Sequence, residues 1–89
     1  MSAIEKCTSA FIETTVDDEV VIVSLDEGKF FSLRDTGLAI WSKIDGIRDR
    51  EQILAELQQE FDAPDDLLAR DLDAFLAEVR SAGFIRWNR

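Results

Sequence analysis

The sequence predicts an α+β domain in which a three-stranded antiparallel sheet is followed by three helices. Three observations carry this. β-branched and aromatic runs separated by turn residues fill positions 11 to 33. After residue 34 the apolar spacing changes from period 2 to period 3.6. The chain of 89 residues has no linker, repeat or low-complexity stretch, so it has room for one domain and one modest core.

The elements follow in order. Residues 1–9 read as a flexible N-terminal tail, and 10–89 as the single folded domain. Phe11-Ile12-Glu13-Thr14-Thr15-Val16 suits a strand, and Asp17-Asp18 a turn. Glu19 to Leu25 is apolar on both faces, which predicts the central strand. Asp26-Glu27-Gly28 reverses the chain, with Gly28 supplying a positive φ. Lys29 to Leu33 is then the third strand of the meander.

Asp35 or Thr36 can cap a first helix that runs to about Lys43, with Leu38, Trp41 and Ile44 on its buried side and Ile40 beside them. Asp45-Gly46 ends it. Asp49 and Gln52 have the spacing of a capping box, in which each side chain satisfies the other's backbone N–H. The helix they open carries Ile53, Leu54, Leu57 and Phe61 on one side. Pro64 is tolerated at the start of a third helix, from about Asp65 to Ala82. Its stripe is Leu68, Leu72, Phe75, Leu76 and Val79. Gly83 suits the position after its end, and Phe84 to Trp87 returns as a short extended segment.

Composition excludes several function classes. There is no His, so Cys7, the lone cysteine, has no imidazole base to activate it. The same absence removes a Ser-His-Asp triad and a Cys/His zinc set. The four glycines are too widely spaced for a phosphate loop. The acidic pairs lie at turns and a helix start without the alternating oxygen ligands of a calcium loop. No catalytic residue, metal site or cofactor is therefore expected. The net charge of −9 repels nucleic acid and anionic lipid and attracts basic segments. No apolar run reaches the roughly 20 residues of a membrane span, and Met1 to Lys6 lacks a signal-peptide core, so a cytoplasmic protein is expected.

Binding is the better expectation. An outer strand of a meander exposes backbone donors and acceptors and is ordinarily blunted by charge or Pro. Phe30-Phe31-Ser32-Leu33 has neither. Such an edge can take up an extended peptide by strand addition, or it can self-pair into a homodimer. The plainer alternative makes Phe31 and Leu33 core and Phe30 an exposed outlier. On the third helix, Leu67, Asp71, Ala74 and Glu78 form a row beside the apolar stripe. If that row faced the third strand, an apolar cleft flanked by carboxylates would result. The plainer alternative is a solvated helix flank.

The junction Phe30-Phe31-Ser32-Leu33-Arg34-Asp35-Thr36-Gly37, then Ile40-Trp41, Asp45-Gly46, Phe75-Leu76 and Gly83-Phe84-Ile85, resembles PqqD-like proteins. These are the recognition elements of ribosomally made, post-translationally modified peptides (RiPPs). The resemblance covers about residues 10 to 87 and rests on the order and spacing of weak motifs. It implies a winged-helix-like fold and no catalysis. It further implies that a precursor's leader segment binds as an added strand along the third strand, in a cleft against the third helix. The bound peptide is then presented to a tailoring enzyme or leader peptidase. The implied peptide-binding positions are Phe30, Phe31, Ser32 and Leu33, with Leu67, Asp71 and Ala74 opposite and the apolar Leu68, Leu72 and Phe75 beside them. Arg34 stands where the family often has Asn, and the proline-glutamate-glycine stretch of pyrroloquinoline quinone chaperones is absent. The chain therefore looks closer to stand-alone proteins of lasso-peptide clusters than to a quinone chaperone. A winged-helix nucleic-acid binder is a further alternative, opposed by the charge. A subunit docking on an enzyme through Trp87 and the sheet is compatible with the first reading.

Overall fold

The computed structural model describes residues 2–88. The order is β1 (Ile4–Lys6), β2 (Phe11–Val16), β3 (Glu19–Ser24), β4 (Phe30–Leu33), α1 (Asp35–Lys43), α2 (Arg50–Glu60), α3 (Asp65–Ser81) and β5 (Ile85–Trp87). β2, β3 and β4 form an antiparallel sheet with β3 in the centre, as the unbroken apolar run of that strand predicts. β1 and β5 pair in a separate two-stranded ribbon.

The sheet's two faces are set by register. Val20 pairs with Leu33, and Ile22 with Phe31. On β2, Phe11 pairs with Ser24. Val20, Ile22, Leu33 and Phe11 are buried, and this inner face joins Ile40, Trp41, Ile53, Leu57, Leu72, Phe75, Leu76 and Val79 of the helices in one core. Ser24 is the one polar side chain buried there among the described residues. Its hydroxyl accepts from the Glu27 N–H at 3.3 Å, so its burial is compensated inside the hairpin. Gly28 holds that hairpin at φ +72°, where a side chain would be strained.

The helices follow their local signals. At Asp49 both halves of the capping box form: its carboxylate accepts from Gln52 N–H at 2.9 Å, and the Gln52 side chain accepts from Asp49 N–H at 2.9 Å. All five stripe residues of α3 are buried. α1 starts differently from expectation. Arg34 is its extended N-cap residue, with no side-chain cap, and Asp35 lies inside the first turn. There its carboxylate complements the helix dipole rather than capping the end.

The N-terminal segment also departs from expectation, for it is not a loose tail. Ile4 is fully buried, and Ile4, Glu5 and Lys6 pair with Trp87, Arg86 and Ile85. Ile4 N–H donates to Arg48 C=O at 3.0 Å, Gly46 N–H to Ile4 C=O at 2.8 Å, and Cys7 N–H to Phe84 C=O at 2.7 Å. The ribbon clamps the α1–α2 loop against the C-terminal strand. The Lys6 ammonium sits 4.5 Å from the centre of the Trp41 ring. Its burial lowers the amine's pKa, opposed by the nearby Glu13 and Asp45 carboxylates. Phe11 meets both Trp41 and Phe84 edge-on at 5.3 Å.

Candidate peptide-binding edge

β4 is an outer strand of its sheet, and its backbone direction can be read from one hydrogen bond. Ser24 N–H donates to Lys29 C=O at 2.7 Å. In an antiparallel ladder the bonded and non-bonded pairs alternate. With the register Ile22–Phe31 and Val20–Leu33, residues 31 and 33 therefore turn their backbone groups toward β3. Phe30 and Ser32 turn theirs outward. The edge thus offers two N–H and two C=O groups, from residues whose side chains carry no charge. β2, the other outer strand, carries Glu13 in its span.

The predicted site residues separate by burial. Leu33 is core and Phe31 half-buried, with its ring edge-on to Phe84 at 5.2 Å. Phe30 is 72% exposed and Ser32 is exposed. The plainer expectation for the side chains of this strand was therefore right about Leu33 and Phe30. It does not bear on the edge, whose availability is a property of the backbone. The Ser32 hydroxyl donates to a Glu19 carboxylate oxygen on the exposed face.

On α3, Asp71 and Ala74 are exposed and Phe75 only just covered. Together with Glu78 they line a groove of about 270 Å³ whose other wall is Thr36, Gly37 and Ile40 of α1. The α3 row therefore faces the first turn of α1, not β4 itself as expected. Chain continuity still joins the two features, because Thr36 lies three residues beyond Leu33. Leu67, 41% exposed, lies outside the groove lining. Leu68 and Leu72, named as flanking apolar positions, are 2% and 0% exposed. They point into the core because they belong to the stripe that holds α3 down, so a peptide cannot reach them.

Thr36, Gly37 and Ile40 were missed as wall residues. The available signal was Gly37 itself, a residue without a side chain in a helix's first turn. A Cβ built there lies 3.7 Å from the Phe75 ring, so the two helices approach closely at this point. A second concavity, about 380 Å³, lies where β4 meets α1 and is lined by Asp17, Asp18, Glu19, Arg34 and Asp35. Asp17 (φ 54°) and Asp35 (φ 51°) are both left-handed there, a conformation Asp tolerates better than most residues. Among the described residues no cluster of His, Cys, Asp or Glu could hold a metal ion, and no helix is long and apolar enough to cross a membrane.

Comparison with known proteins places this architecture. The family model of coenzyme PQQ synthesis protein D (PqqD) matches residues 19–85, from the first residue of β3 to the start of β5, and the chain belongs to that family. Its fold is shared with the solved structure of TbiB1 in complex with the TbiA(beta) leader peptide. The two are 28% identical with a TM-score of 0.76, over 86% of this chain and 90% of that one. A lasso peptide synthetase B1 complexed with its leader peptide has the same fold at 16% identity and a TM-score of 0.79, over 93% of this chain and 96% of that one. No curated protein sequence matches the chain.

Proposed function

We propose that this protein is a non-catalytic recognition element. It binds the leader segment of a ribosomally made precursor peptide as an added strand on β4 and delivers that precursor to a modifying enzyme or leader peptidase. The carrying observation is the open edge at Phe30 and Ser32, whose outward backbone groups are not blunted by charge or Pro within the strand. The main chain supplies affinity without reading sequence, and side-chain pockets supply selection. Phe75 and Ala74 offer the groove an apolar floor, while Asp71 and Glu78 at its margin favour a leader carrying Lys or Arg nearby. Membership of the PqqD family and the likeness to two leader-bound structures support this reading.

The surface chemistry disfavours nucleic acid. α3 carries Asp65, Asp66, Asp71, Asp73 and Glu78 against Arg70 and Arg80 alone, so a phosphate backbone would meet mostly like charge. The decisive experiment is titration of the protein with a synthetic cognate leader, followed by calorimetry and by amide-I infrared spectroscopy. Saturable one-to-one binding with a gain of β-sheet signal is expected. Binding without added strand structure would refute strand addition, and no binding would refute the function.

A further inference from the structure

The three-stranded sheet has a second face that the core does not use. Its direct pairs are Ile12 with Val23, and Val23 with Phe30, so an apolar row crosses all three strands. Ile12 is 56% and Phe30 72% exposed, and Val16 and Leu25 extend the patch at 48% and 53%. None of these residues belongs to the buried cluster. A contiguous exposed apolar sheet face of this kind marks an interaction surface. It is bounded at one end by Asp17, Asp18 and Glu19, and at the other by Asp26 and Glu27 in the β3–β4 hairpin.

We infer that this outer face docks the enzyme that acts on the delivered peptide, through a contact surface with an apolar centre and Lys or Arg at its margins. Charge selects that occupant. A second copy of this chain would bring the same acidic ends and a net charge of −9 against itself. A basic-rimmed apolar surface satisfies centre and ends together. The inference rests on the strand-addition reading, and that reading sharpens it. Phe30 belongs to both surfaces, its backbone at the open edge and its side chain in the outer row. A leader paired with β4 becomes a fourth strand, and every second side chain of it joins the outer face, one of them extending the row Ile12–Val23–Phe30. Two strands about 20 Å long and the shorter β4 of about 13 Å, spaced about 4.8 Å apart, present roughly 250 Å² in projection. Stable interfaces bury about 800 Å² per partner. The face alone is therefore small, and a strand paired along β4 enlarges it by about a quarter. The docked enzyme would read the sheet and the outward side chains of the leader at once, so it binds the loaded protein more tightly than the empty one.

Ile12 lies on β2, two strand spacings from the β4 edge, so a change there separates docking from leader binding. The test uses a purified leader peptidase or modifying enzyme that processes the precursor whose leader this chain binds. Its affinity is measured by biolayer interferometry for the full-length protein, with and without a saturating synthetic leader, in wild type, Ile12→Glu and the β-compatible Ile12→Thr. Expected are tighter enzyme binding with leader present and a loss on the order of tenfold in Ile12→Glu. Ile12→Thr should lose less, and leader affinity should be unchanged in both variants. Equal enzyme affinity in wild type and both variants, or no enzyme binding by wild type, would overturn the docking surface while leaving leader recognition standing. Failure of wild type to bind leader would instead overturn the recognition reading. Sedimentation velocity supplies the remaining outcome: a wild-type dimer that Ile12→Glu dissociates would assign the face to a second copy and refute the inference.

Discussion

Ser32→Pro is the sharpest probe of the edge, because this position separates the ladder that folds the protein from the edge that is offered outward. The Ser32 N–H points away from β3, so proline there removes no hydrogen bond of the β3–β4 pair, and an edge is where a strand tolerates proline. Phe31, the residue before it, is already extended, as a residue before proline must be. The fold loses only the exposed Ser32–Glu19 hydrogen bond. An added leader strand, by contrast, loses a donor and leaves one of its own carbonyls unpaired. That costs about 1–3 kcal/mol, or roughly 5- to 150-fold in Kd. The assay is leader titration by fluorescence anisotropy, run beside a thermal melt. Ser32→Ala is the matched control, since it removes the hydroxyl and keeps the N–H, and its leader affinity should stay near wild type. Phe31→Pro should damage both fold and binding, because its N–H belongs to the ladder. Ser32→Pro with an intact melt and leader affinity within about twofold of wild type would refute pairing on β4.

Two further perturbations test the frame around the site. Ile4→Ala should cost about 2–5 kcal/mol in urea unfolding, because Ile4 is fully buried under the terminal ribbon; a change near zero would mean that the N-terminal segment does not clamp the fold in solution. The Arg50–Asp73 pair predicts an acid limb of stability: Arg50 donates to Asp73 through Nε at 2.7 Å and through its terminal nitrogen at 2.9 Å, and this hydrogen bonding holds the Asp73 carboxyl below its usual range. The folded pKa is therefore below the unfolded one, so this stabilisation is present above the unfolded value of about 3.9 and is lost as pH falls through the folded value. Asp73→Asn should flatten that limb in chemical denaturation carried out below pH 5; an unchanged slope would show that the exposed pair contributes nothing measurable.

What could be read from sequence was what local spacing encodes. The 3.6-residue stripe of α3, the Asp49–Gln52 box and the unbroken apolar run of Glu19 to Leu25 each act within a few residues, and each formed where it was expected. The N-terminal strand was illegible because Ile4 is one apolar residue among polar ones and its partner Trp87 lies at the far end of the chain. Long-range pairing of that kind leaves no periodic mark. The groove was half legible. A helical wheel found the row Asp71–Ala74–Glu78, but it could not say which element would face it. It also could not separate Leu68 and Leu72, which anchor the helix, from Phe75, which both anchors it and lines the groove.

The ribbon of β1 and β5 has a mechanical consequence. Because its two strands are antiparallel and Ile4 lies opposite Trp87, tension applied through the segments flanking them loads the same end of the ribbon. The hydrogen bonds then break one after another, as in unzipping, rather than together in shear. An unfolding motor gripping either end would begin at this same seam. Opening it draws Ile4 out of the core and uncouples the α1–α2 loop before β2, the next element along the chain, takes the load. The edge strand β4 is thus reached only after β2 and β3 from the N-terminal side, or after α3, α2 and α1 from the C-terminal side.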